Sequence, residues 1–173
     1  KESLASIGTI EEAETFDVAV LGITSGDTFI IVDGYTKGLI AGTKALAGRS
    51  IDEAQMEPSV KGSKEAFVEN LKDNVGLLRK RIKDPNLTFE AFKLGRRTKS
   101  DIVTVYVKGI IDESIVDEAR KRIQAIDIDD AVSASQIAQL ISDSPNSIFP
   151  LYQVTERPDK VVASLLDGRL AIL

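Results

Sequence analysis

ITSGDTFIIVDG, residues 23–34, runs from an apolar segment through a glycine into a short apolar strand. SLLDGRLAIL, residues 164–173, does the same at the far end of the chain. A helix that ends on a left-handed residue needs glycine there, because a Cβ is strained at positive φ. Gly26 and Gly168 are thus expected to play one role, turning a helix straight into a central strand. Ahead of Gly168 the helix reading is direct. Pro158 suits a first helical position, and Val161, Val162, Leu165 and Leu166 form a buried side. Ahead of Gly26 two readings stand. Val18 to Leu21 has strand propensity. Thr15 as a cap, Asp17 in a first turn, and Phe16, Ala19, Val20 and Ile23 on one stripe are helix signals. A further echo pairs FIIVDGYTKGLI, 29–40, with VYVKGIIDESIV, 105–116. Repetition of this kind implies two related units. The expected fold is α/β: two small α/β subdomains in tandem, mixed sheets with covering helices, joined by a linker. The first covers 1–60, incomplete at its N-terminus, and the second 61–173.

Between these anchors the chain divides readily. Phe29 to Val32 reads as a buried strand, Asp33-Gly34 as a turn, and Lys37 to Thr43 as a strand hairpinned to it. Arg49 to Ser63 is polar, with Pro58 and Gly62, and reads as the linker. Phe67, Leu71, Val75, Leu78 and Ile82 recur at helical spacing, so an amphipathic helix is expected over 64–83, with Ser63 as N-cap. Arg79, Lys80, Arg81 and Lys83 suit its final turn, and Asp84-Pro85-Asn86 stops it. Leu87 to Leu94 and Ile102 to Val107 form a hairpin across GRRTKSD, 95–101. Asp112 caps a helix with Ile115, Ala119 and Ile123 inward. Ser133 and Gln136 open a short one with a capping box, with Ile137, Leu140 and Ile141 inward. Ile148 to Val154 is extended.

Composition removes several chemistries. The 173 residues include no Cys and no His, which excludes disulfides, thiolate nucleophiles, Ser-His pairs and the usual zinc and iron ligand sets. No apolar run approaches the ~18 residues of a membrane-spanning helix. No charged start followed by an apolar core marks a signal peptide. The chain starts at Lys1 and stops within a strand at Leu173, and so reads as part of something longer. Its net charge of −5 is unevenly spread. Residues 1–33 carry −6, residues 61–108 carry +6, and residues 109–173 carry −5. A basic middle between acidic ends fits contact with an acidic surface or between parts of the chain.

Four constellations deserve weighing. GLIAGTK, 38–44, lacks the Walker spacing and reads as strand and turn. IDIDD, 126–130, fails the EF-hand pattern, since Val132 and Ala138 stand where Gly and Glu are required. GRRTKS sets Arg96, Arg97 and Lys99 at a hairpin tip. That is either a solvated turn or a docking point for an acidic partner surface or anionic lipid headgroups. Nucleic acid is not expected, because the chain is acidic and no aromatic platform interleaves the bases. TERPDK, 155–160, puts Glu156, Arg157 and Asp159 at a helix start, as caps and ion pairs or as contacts for a ligand.

MEPSVKGSKEAFVENLKDNVGLLRKRIKDPNL, KLGRRTKSDIVTVYVKGI, IDIDD and FPLYQVTERPDKVVASLLDGRLAIL, in that order, resemble the A subunit of spore germinant receptors, the GerA family. SGDTFIIVDGYTKGLIAGTK is similar to the family's preceding segment. The chain departs from the family at Lys44-Ala45-Leu46-Ala47 and at Lys61-Gly62-Ser63, where Gly-Trp and Arg-Gly-Pro are usual. The resemblance implies a soluble N-terminal domain ahead of a bundle of membrane helices. It implies partners: a transporter-like B subunit, a lipoprotein C subunit and other A subunits. It places the assembly in the inner spore membrane, as part of a nutrient-gated oligomeric ion channel, with this domain facing the spore core. No cofactor, metal or catalytic residue is implied. Two functions follow as expectations. One is a non-enzymatic receptor domain acting by assembly and signal relay. The other is a nutrient-binding module with a cleft between its subdomains. A carboxylate-based enzyme lacks any convergent motif.

Overall fold

A computed structural model of the chain describes residues 10–43, 57, 65–130, 133–144 and 147–173. Contacts group the chain into two compact units, Lys1–Ser50 with Leu78–Pro85, and Ile51–Leu77 with Asn86–Leu173. The class is mixed α/β, with one three-stranded sheet in each unit. Every strand pairing among the described residues is antiparallel.

In the first unit, strand β1 (Ile10–Ala13) leads into helix α1 (Phe16–Thr24), then β2 (Thr28–Ile30) and β3 (Gly38–Ala41). The helix reading of 15–23 wins because Thr15 caps it, its hydroxyl accepting from the Val18 amide at 3.4 Å. Gly26 sits at φ 92°, the left-handed exit the sequence requires. The strand order is β1-β3-β2, and β2 and β3 form the expected hairpin. The strand expected over 29–32 is shorter and less buried, since Ile31 and Val32 lie past its end and are exposed. The small core is Ala13, Ala19 and Ile40, with Phe29 against it.

Helix α2 spans Leu71–Arg81, not 64–83, its residues up to Leu77 grouping with the second unit and those from Leu78 with the first. The shortening has a local cause. Asn70 starts the helix by accepting from the Lys72 amide at 3.0 Å. The buried Asn74 side chain then bonds both the amide and the carbonyl of Val68, at 2.8 and 2.7 Å. Residues 65–68 are thereby tied out of the helix. Ser63 and the linker over 49–63 lie outside the described residues, Glu57 excepted.

Strands β4 (Leu87–Leu94) and β5 (Ser100–Val107) pair in register from Leu87 opposite Val107 to Leu94 opposite Ser100. Strand β6 (Ala171–Ile172) adds to the other side of β5. Helices α3 (Glu113–Gln124), α4 (Ala134–Leu140) and α5 (Pro158–Leu166) complete the second unit. Asp112 caps α3 and Ser133 caps α4 through side-chain bonds to Ser114 and Gln136. The inward faces are offset from the expected stripes. Val116 and Ile123 are buried on α3 while Ile115 is exposed, and Leu140 is exposed beside buried Ile137 and Ile141. One cluster joins Leu94, Ile102, Ile123, Ile137 and Ile141, with Ile126 and Ile128 packed on it. Residues 147–154 form bends rather than a strand.

Candidate functional site

The basic hairpin tip is built by two left-handed residues, Gly95 at φ 87° and Lys99 at φ 49°. They curl the chain so that three successive amides point the same way. Arg96 N and Arg97 N donate to the carbonyls of Ile128 and Asp129 at 2.9 Å, and Thr98 N reaches Asp129 O at 3.4 Å. The side chains repeat the pairing. The Arg96 guanidinium grips the Asp127 carboxylate with two bonds, Nε to Oδ1 at 2.7 Å and Nη2 to Oδ2. Arg97 stands 3.8 Å from Asp129. The bond to Asp127 raises the Arg96 pKa above its ordinary value.

The hairpin and the IDIDD segment, read apart in the sequence, thus form one structure. The alternation explains why. Ile126 and Ile128 face the core, which turns Asp127 and Asp129 the other way, toward the hairpin. Two of the hairpin's three cations, Arg96 and Arg97, thus face Asp127 and Asp129 within one unit. Lys99 is exposed, and its ammonium meets no carboxylate among the described residues.

The second candidate cluster is also closed on itself. Arg157 pairs with Asp159 through Nε–Oδ1 at 3.1 Å and Nη2–Oδ2 at 2.6 Å, and the pairing raises the arginine's pKa. The Glu156 carboxylate accepts from the Glu57 amide at 2.8 Å, and its carbonyl accepts from Phe67 N at 2.8 Å. Glu57 in turn receives the Thr155 hydroxyl at 2.6 Å and the Lys160 ammonium at 2.9 Å. The Thr155 bond, then that of Lys160, holds the Glu57 carboxyl below its usual value. These bonds fasten residues 57 and 67 to the start of α5. Sequence reading missed Glu57, whose partners lie about a hundred residues away; no local spacing announces it.

Further charges are spent the same way. Arg120 bridges Glu90 and Asp117, and Arg122 joins Glu118, Asp143 and the Ile141 carbonyl at the end of α4. No group of three metal-ligating side chains gathers among the described residues. No described helix is long and apolar enough to cross a membrane.

A group of apolar side chains also lies exposed. Ile148 is 94% exposed and Phe149 75%, and Leu151, Tyr152 and Val154 join them in a seven-residue run. No charged residue occurs from Ser144 to Thr155. Phe149, Leu151, Tyr152 and Val154 line an open groove of about 240 Å³ together with Ser135, Gln139 and Ser142. Its residue types suit contact with another apolar surface and carry no acid, base or nucleophile in a paired arrangement.

Along residues 1–173 the chain matches the family described as Bacillus/Clostridium GerA spore germination protein. The chain belongs to the GerA family. It is 41% identical over 167 residues to spore germination protein B1 of Bacillus subtilis (strain 168), across 96% of the chain and 33% of that relative. It is 39% identical over 171 residues to the membrane protein YfkQ of the same strain, across 99% of the chain and 33% of the relative. The chain therefore spans about a third of the length of these curated relatives. Its fold matches the crystal structure of the N-terminal domain of the A subunit of the Bacillus megaterium germinant receptor GerK3. The TM-score is 0.69 at 34% identity, covering 99% of the chain and 61% of that structure. The family assignment read from the motifs stands.

Proposed function

We propose that this GerA-family chain is a non-catalytic receptor domain that works by subunit assembly and relays a nutrient-driven change to the membrane part of its receptor. One observation carries the reading. Arg96, Arg157, Asp159 and Lys160 are paired with groups of their own unit, while a largely apolar run, 148–154, is turned outward. Groups engaged with one another are not poised for acid–base chemistry, and exposed apolar runs mark contact surfaces. Residence at the inner spore membrane, facing the core, and assembly with B, C and other A subunits belong to this proposal. The length of the relatives and the name of the membrane protein YfkQ support it. Docking through the hairpin rests on Lys99 and Arg97, since Arg96 is committed to Asp127.

The test is cross-linking in assembled receptor. Cysteines placed at Phe149 and Leu151 should form cross-links to other subunits, and cysteines at Lys121 should not. Reversal of Arg97 and Lys99 should weaken assembly at low salt and leave the domain folded. If neither set changes assembly or germination, the reading fails. Titration calorimetry of the chain against nutrient amino acids and sugars decides against it from the other side, if any binds.

A further inference from the structure

Two glycines stand inside described helices, Gly22 in α1 and Gly76 in α2. A glycine inside a helix weakens it, because its backbone has the most freedom to lose and is left open to water. Gly22 has a packing reason: a Cβ there would come 3.0 Å from Ile40 Cδ1. Gly76 has none. It is exposed, a Cβ on it would meet nothing within 4 Å, and its φ is not positive. Alanine would fit there and make a stronger helix.

The place of Gly76 in the chain supplies a reason of another kind. The two halves of α2 are held by different units. Ahead of Gly76 the buried Asn74 side chain bonds both backbone groups of Val68, and Phe67 N donates to Glu156 O, all within the second unit. Past it, Leu78 and Ile82 are buried, and the Lys83 carbonyl lies 3.3 Å from the Thr24 hydroxyl, all within the first. The division falls between Leu77 and Leu78, one residue beyond Gly76. The weakest residue of the helix thus stands where its anchorage changes. Conformational changes concentrate at a few positions that absorb a change in φ and ψ, and helices bend where glycine interrupts them.

We propose that Gly76 is a built-in break point: α2, continuous here, unwinds about Gly76 when the receptor responds to nutrient. The inference rests on the relay reading and says where in the domain the relayed change passes. A bare backbone could instead serve close approach of a partner, and side-chain size separates the two. Asparagine is a poorer helix former than alanine but bulkier.

The test compares Gly76→Ala and Gly76→Asn with the parent. In the isolated chain, whose GerK3 counterpart was crystallised as a domain, Gly76→Ala should raise the thermal midpoint by about 2–4 °C. It should also slow exchange of the Lys80 amide, which a helix bonds to the Gly76 carbonyl, about fivefold. Spores whose only functional receptor carries Gly76→Ala, at unchanged protein level, should germinate several-fold more slowly with nutrient, and Gly76→Asn should fall between them and the parent. Asn as slow as Ala or slower marks close approach of a partner and overturns the proposal. So does an unchanged germination half-time with Gly76→Ala, or a midpoint that is unchanged or lowered. None of these outcomes touches the cross-links at 149 and 151, which test the assembly reading by themselves.

Discussion

The ring of Phe29 lies where a Cβ on Gly38 would stand, 2.1 Å from its Cε2. Gly38→Ala therefore forces the ring out of the small core it shares with Ile40. The cost expected is about 1–3 kcal/mol, the range for overpacking, and it should be read as a lowered thermal midpoint. Glu90 gives a pH effect of definite sign. The Arg120 hydrogen bond, outweighing desolvation, holds its pKa below the ordinary 4.5. A depressed folded pKa stabilises the fold above the ordinary value and ceases to do so as pH falls through the lowered one. Urea midpoints should thus fall below pH 4.5, and Glu90→Gln should flatten that part of the profile. A Glu90→Gln curve as steep as the parent's would refute the assignment. At this scale the sequence was partly readable. The caps Thr15, Asp112 and Ser133 announced themselves, because a cap bonds an amide two or three residues on. Glu57 and Asp127 did not, because their partners are distant in the chain.

Among the elements, α3 shows what a cap contributes. The Asp112 carboxylate accepts from Ser114 N at 2.9 Å, and that bond holds its pKa below 3.8. Asp112→Ala should lower the denaturation midpoint, measured with urea, with the loss largest at pH values above the carboxyl's titration. Element type was legible wherever period and punctuation agreed, as in the β4–β5 hairpin and in α5 between Pro158 and Gly168. It failed at the start of α2, where helical spacing through Phe67 continued past a stop the spacing cannot reveal. That stop is the Asn74 side chain holding Val68, a contact made by a buried amide rather than by a pattern. Ile115 and Leu140 failed for a different reason. The apolar stripe fixes a helix's face only to within a neighbouring residue, and the packing partner chooses which one is covered.

On the scale of the molecule, charged side chains link segments of the second unit. Arg157 and Asp159, for which the sequence offered ion pairs or ligand contacts, pair with each other, and Arg96 of the hairpin tip pairs with Asp127. Phe149 and Leu151, read as part of an extended segment, are exposed at its surface. The account stands or falls on the exposed run. Spores whose only functional receptor carries Phe149→Ser and Leu151→Ser in this domain, at unchanged protein level, should germinate many-fold more slowly with nutrient. An unchanged germination half-time would contradict the proposal that this surface is where the domain acts.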